Sequence, residues 1–114
     1  MNPSPSATLT WTPVCRVADL LPERGACALV GGRQVALFRD HTGHLHALDN
    51  LDPFSGAHVL SRGIVGSRGG EPTVASPMHK QVFSLRTGAC LDDPAVTVAT
   101  YRVRARHGVV EVAV

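Results

Sequence analysis

From Trp11 onward the apolar positions come in short β-branched runs broken by glycine and proline, without the spacing of about 3.6 residues that marks a helix face. Cys27 to Val30, the pair Gly31-Gly32, and Gln34 to Arg39 predict a hairpin, because adjacent glycines accept the positive φ of a tight turn. Asp40-His41-Thr42-Gly43 supplies a second turn before His44 to Leu48, which makes a meander of three strands. Ile64 to Val65 and Thr73 to Ala75 flank the polar turn Ser67-Arg68-Gly69-Gly70-Glu71-Pro72, and Gln81 to Leu85 continues that smaller unit. Thr97 to Ala105 and Val109 to Val114, joined at His107-Gly108, predict a last hairpin. The one candidate helical turn, Asp19-Leu20-Leu21-Pro22, is stopped by its proline within about one turn. The pattern therefore predicts an all-β chain. Residues 1–10 carry Pro3, Pro5 and several hydroxyl side chains with little to pack, and are expected to be a flexible leader to a single domain over residues 11–114.

Length and charge narrow the function classes. A chain of 114 residues buries roughly two-thirds of its unfolded surface, enough for one core without disulfide or metal staples. The net charge of +2, an aromatic content of 4% and the lack of any Lys/Arg run argue against a nucleic-acid partner. No apolar stretch approaches the roughly 20 residues that cross a bilayer, and no secretory segment is visible, so a cytoplasmic protein without a membrane partner is expected. Cys15, Cys27 and Cys90 are odd in number and widely spaced, which fits small core or strand residues better than a disulfide framework or a zinc knuckle.

Two segments carry the functional signal. Asp52-Pro53-Phe54-Ser55-Gly56 and Ser76-Pro77-Met78-His79 stand where an iron-sulfur protein of the Rieske type reads Cys-Pro-His-x-Gly and Cys-Pro-x-His. The frame around them is intact: Leu60-Ser61-Arg62-Gly63 after the first, Val82-Phe83-Ser84-Leu85-Arg86-Thr87-Gly88 after the second, then Pro94. From about Trp11 to the C-terminus the chain resembles the Rieske superfamily. The Asp-Pro-Phe and Ser-Pro-x-x-Lys-Gln-x-Phe segments, with one extra residue between Pro53 and Leu60, resemble one branch of it, the small subunit of assimilatory NAD(P)H-dependent nitrite reductase.

That resemblance implies a Rieske-like fold, an antiparallel β-sandwich or barrel with a small three-stranded subdomain whose two loops, carrying Pro53 and Pro77, meet at its tip. It implies that Asp52, Phe54, Ser76 and His79 are vestigial cluster positions, with only His79 of ligand type. One ligand in four does not hold a cluster. The chain is then expected to carry no catalytic residue, no metal and no cofactor, and to be inactive alone. FAD, an iron-sulfur cluster and sirohaem are expected on the large subunit, which reduces nitrite to ammonium and is the implied partner. The rival readings are a Rieske-type ferredoxin electron carrier, opposed by three absent ligands, and a stand-alone Rieske-fold interaction module.

Several groups invite sharper readings. Asp52, Ser76 and His79 have the residue types of a hydrolytic triad, but no nucleophile-elbow sequence surrounds Ser76. A plainer expectation is that Asp52 and Ser76 tie the two loops by hydrogen bonds, and that Phe54 plugs the vacated volume as a buried ring. His79, His58 and Asp52 raise a mononuclear metal site, against which Lys80 adds a positive charge. His41, His44 and His46 are expected to face solvent around a hairpin turn. Gly31-Gly32 and Gly69-Gly70 read as turns, since neither leads from a strand into a helix. Arg102, Arg104 and Arg106 alternate along one strand and share a face. That face is either merely solvated or, with Phe54 and Met78 at the loop tips, a candidate partner interface.

Overall fold

The computed structural model describes residues 10–114. The first nine residues of the expected leader lie outside the described part. The described residues form nine strands: β1 Trp11–Arg16, β2 Gly25–Val30, β3 Arg33–Arg39, β4 Leu45–Asp49, β5 Ile64–Arg68, β6 Glu71–Ala75, β7 Val82–Ser84, β8 Thr100–Arg106 and β9 Val109–Ala113. Six of them make an antiparallel sheet in the order β1-β9-β8-β4-β3-β2. Its two edges, β1 and β2, come together, so the sheet nearly closes into a barrel. Strands β5, β6 and β7 form the small three-stranded sheet that the resemblance implies.

The uninterrupted apolar run Val35-Ala36-Leu37-Phe38 explains how the two parts join. Alternating side chains on β3 face opposite ways. Val35 and Leu37 enter the barrel core with Leu20, Val30, Ala47 and Val112. Ala36 and Phe38 enter a second core with Leu48, Leu60, Val74, Phe83, Leu85, Cys90 and Val98, between barrel and small sheet. A strand buried on both faces has no polar alternation, and β3 shows none.

The differences from the predicted elements are local. Strand β1 carries Pro13 and a register shift between Pro13 and Cys15, which broke the pattern that would have announced it. The short helical turn is 3₁₀ and spans Val17–Asp19, one turn ahead of Pro22, while a second covers Leu60–Arg62. The turn between β5 and β6 is tighter than the six polar residues suggested. Gly69 and Gly70, at φ 59° and 84°, make it alone, and Ser67 and Pro72 pair within the strands.

Two glycines and one amide fix the loop that leads to the candidate site. A Cβ on Gly63 would fall 2.4 Å from the Ala75 carbonyl oxygen, and one on Gly25 2.2 Å from that of Ser61. Only a bare backbone lets the 60–63 segment lie this close to β2 and β6. Buried Asn50 completes the clamp, donating from Nδ2 to the His58 carbonyl at 3.0 Å and to Gln34 Oε1 at 3.2 Å, and accepting the Ser61 N–H at 2.7 Å.

Candidate functional site

The Asp52 and Ser76 loops are built on one plan. In the first, Asp52 N–H donates to the Ala57 carbonyl (2.8 Å), Gly56 N–H to the Asp52 carbonyl (2.8 Å), and Phe54 N–H to Asp52 Oδ1 (2.9 Å). In the second, Ser76 N–H donates to Gln81 (2.9 Å), Lys80 N–H to Ser76 (2.9 Å), and Met78 N–H to Ser76 Oγ (3.3 Å). A third turn repeats the plan from Ser84, with Ala89, Gly88 and Arg86 in the same places. Each turn puts its fifth residue in the left-handed region: Gly56 at φ 74°, Lys80 at 61° and Gly88 at 77°.

The residues that open the first two turns face each other. Ser76 Oγ donates to Asp52 Oδ2 at 2.5 Å, and both side chains are buried. Burial pushes the Asp52 carboxyl up, but hydrogen bonds from Ser76, the Phe54 N–H and Ser55 outweigh it and hold the group below its ordinary value. The expected tie is therefore present. His79 is exposed on the loop rim, with no hydrogen bond to Ser76 or Asp52, so the three residues do not form a triad.

Phe54 departs from its expected place. It retains 37% of its exposure and lays its ring beside buried Phe83, centroids 6.1 Å apart and tilted by 50°. With the Asp52 and Ser76 side chains in contact between the loops, the ring covers the junction rather than filling it. Pro53, Pro77 and Met78, the last at 49%, are exposed beside it in the same two loops. The same two segments carry His58, Arg62, His79 and Lys80, all exposed. Asp52 is the only acidic residue of both segments, 52–64 and 76–81, and it is buried.

The remaining candidates are separated from the tip or engaged elsewhere. His46 does not face solvent as expected. It bonds through Nε2 to Oδ2 of buried Asp40 at 2.8 Å, because its strand position points back at the turn. Asp40 also accepts the Thr42 N–H (2.9 Å), the Thr42 hydroxyl (2.5 Å) and the His44 N–H (3.0 Å). Burial opposes ionisation there, yet these donors, His46 foremost, hold the carboxyl far below its ordinary range. The turn borders a groove of about 520 Å³ shared with Gly70, Pro72 and Arg86, at the opposite end of β4 from the Asp52 loop.

The arginine stripe is also not uniform. Arg102 and Arg106 are exposed, but Arg104 bonds Glu111 through Nε at 2.7 Å and lies 4.0 Å over the Trp11 ring. Strand pairing causes this, since β9 sets Glu111 opposite Arg104 and brings β1 alongside. Cys90 is buried, Cys15 half-buried and Cys27 exposed. Burial pushes the Cys15 and Cys27 thiols up, away from reactivity. Sequence reasoning passed over Asn50, and read Lys80 only as a charge set against a metal site. Asn50 carried no motif, and the signal for Lys80 lay in comparing its position with Gly56.

Comparison with known proteins agrees with this geometry. A family model described as a Rieske-like [2Fe-2S] domain matches residues 10–113. The nitrite reductase (NADH) small subunit of Escherichia coli K12 is 45% identical over 102 residues, covering 89% of this chain and 94% of that one. A crystal structure described as an NADH-dependent nitrite reductase small subunit from Mycobacterium tuberculosis superposes with a TM-score of 0.90 at 51% identity, covering 93% and 96% of the two chains. The nitrite reductase [NAD(P)H] large subunit of Klebsiella oxytoca contains a 42% identical stretch of 98 residues, 86% of this chain and 10% of that protein. The cluster in the family's description does not fit the residues present. Asp52 and Ser76 are bonded to each other, Phe54 supplies a hydrocarbon ring, and His79 alone is of ligand type. Among the described residues no three His, Cys, Asp or Glu side chains gather to hold a metal ion.

Proposed function

Since the chain belongs to the Rieske-like family, in its nitrite reductase small-subunit branch, we propose that it is a non-catalytic subunit that docks on the large subunit and supports it without carrying electrons. The observation that carries this reading is the Asp52–Ser76 hydrogen bond, which closes the junction where cluster-bearing relatives hold iron. Electron transfer through a protein needs a redox group, and of the four side chains that would bind one the two loops offer His79 alone. FAD, the iron-sulfur cluster and sirohaem then belong to the large subunit, and this chain alone is inactive. The Klebsiella oxytoca relative supports the partnership, because there a similar domain is part of the large subunit itself. A cytoplasmic location and the absence of nucleic-acid and membrane partners complete the proposal. Among the described residues no helix is long and apolar enough to cross a membrane.

The docking surface we propose is the loop tip around Phe54 and Met78, with exposed Arg102 and Arg106 as secondary candidates and Arg104 as an internal brace. Loops on a rigid scaffold are favoured places for such contacts. The test is co-purification with the large subunit, followed by nitrite-dependent NAD(P)H oxidation with and without this chain. Anaerobic treatment of the isolated chain with iron and sulfide accompanies it. Association, altered turnover and no Rieske-like absorption are expected. Stoichiometric iron with such a spectrum would restore the ferredoxin reading, and failure to associate would favour a stand-alone module.

A further inference from the structure

Of the three turns built on one plan, two place glycine at the left-handed fifth position and one places Lys80 there, at φ 61°. A side chain with a Cβ is disfavoured in that conformation, and glycine is the ordinary solution. Lysine is not among the few residue types that visit it readily. The strain is not offset nearby. Lys80 is exposed, and among the described residues its ammonium makes no ion pair or hydrogen bond. The turn uses the conformation but not the lysine side chain, so the choice of lysine over glycine here points to a role outside the turn.

The surroundings say what kind of contact that is. Lys80 lies two residues from half-exposed Met78, in the loop tied to that of Phe54. Exposed Arg62 and Lys80 lie in the same two segments as this apolar centre, together with His58 and His79, and these segments expose no carboxylate to neutralise the two basic side chains. Such a surface complements an apolar patch bordered by Asp or Glu side chains. We infer that Lys80 is held in its strained turn to pair with a carboxylate of the large subunit, so that the residue raises affinity at the expense of stability. This rests on the docking reading proposed above.

The experiment compares the full chain with Lys80→Gly, Lys80→Gln and Lys80→Arg, reading melting temperature alone and affinity for the purified large subunit. Lys80→Gly should melt higher by about 4 °C or more, as expected for a small domain relieved of this strain, and bind at least about fivefold more weakly. Lys80→Gln should bind as weakly without melting higher, and Lys80→Arg should restore binding. Weakening by salt should be smaller for Gly and Gln than for the unaltered chain. If the unaltered chain binds and the Gly and Gln variants bind equally well, the inference falls while the docking proposal stands. An unaltered chain that does not bind the large subunit overturns both.

Discussion

Ser76 and Asp52, 24 residues apart in sequence, are joined by a 2.5 Å hydroxyl-to-carboxylate hydrogen bond inside the protein. Charge-assisted bonds of this kind are short and strong, and losing the donor leaves a buried carboxylate short of a partner. Ser76→Ala is therefore expected to lower stability by about 1.5 to 3 kcal/mol in urea denaturation. Asp52→Ala in the Ser76→Ala background should cost less than alone, giving a coupling of about 0.5 to 3 kcal/mol. Strictly additive effects would show that the two side chains act independently.

Acid stability follows from Asp40 and Asp52. Both carboxyls have folded values below their unfolded ones, so the stability they contribute is complete above about pH 4 and is lost as the pH falls through the folded values. Stability should thus decline progressively below about pH 4. Asp40→Asn removes the larger share, and its unfolding midpoints should change less between about pH 4 and 2. Parallel curves for the two proteins would place the acid sensitivity elsewhere.

Phe54 is half-covered, so its removal should cost less than that of a core ring. Phe54→Ala is expected to lose about 1 to 2 kcal/mol, short of the about 3 to 5 kcal/mol typical of a fully buried phenyl. The larger effect should appear in the complex, as faster dissociation from the large subunit in surface-binding kinetics. A stability loss above about 3 kcal/mol would mean the ring acts as the core plug that its exposure argues against.

The arginines should divide in the same two assays. Arg104→Ala loses its stacking on Trp11 and its partly screened bond to Glu111, together about 1 kcal/mol. Arg102→Glu with Arg106→Glu should leave stability within about 0.5 kcal/mol. If this face assists docking, that pair slows association most at low salt. Unchanged association would confine the interface to the tip.

The architecture was legible wherever turn chemistry punctuates the chain. Gly31-Gly32, Asp40 to Gly43, Gly69-Gly70 and His107-Gly108 all mark real hairpin turns. The tie between Asp52 and Ser76 followed from their residue types once the loops were known to meet. What stayed hidden depended on partners distant in sequence. The burial of His46 requires the Asp40 turn to fold back on it, and the bracing of Arg104 requires β9 to bring Glu111 and β1 to bring Trp11. Phe54 was misjudged because volume was assigned to a junction that two polar side chains already close.

Strand β3 gives Val35 and Leu37 to one core and Ala36 and Phe38 to the other, which has a consequence for encounter with a partner. Lifting the small sheet would expose Phe38, Leu48 and Leu60 at once, so it has no cheap partial opening short of global unfolding. The Ser76 loop, which joins β6 and β7 of that sheet, is therefore anchored at both ends against the core. A partner docking at the tip, as proposed, would meet this loop already shaped, and less of the binding energy would be consumed in ordering it.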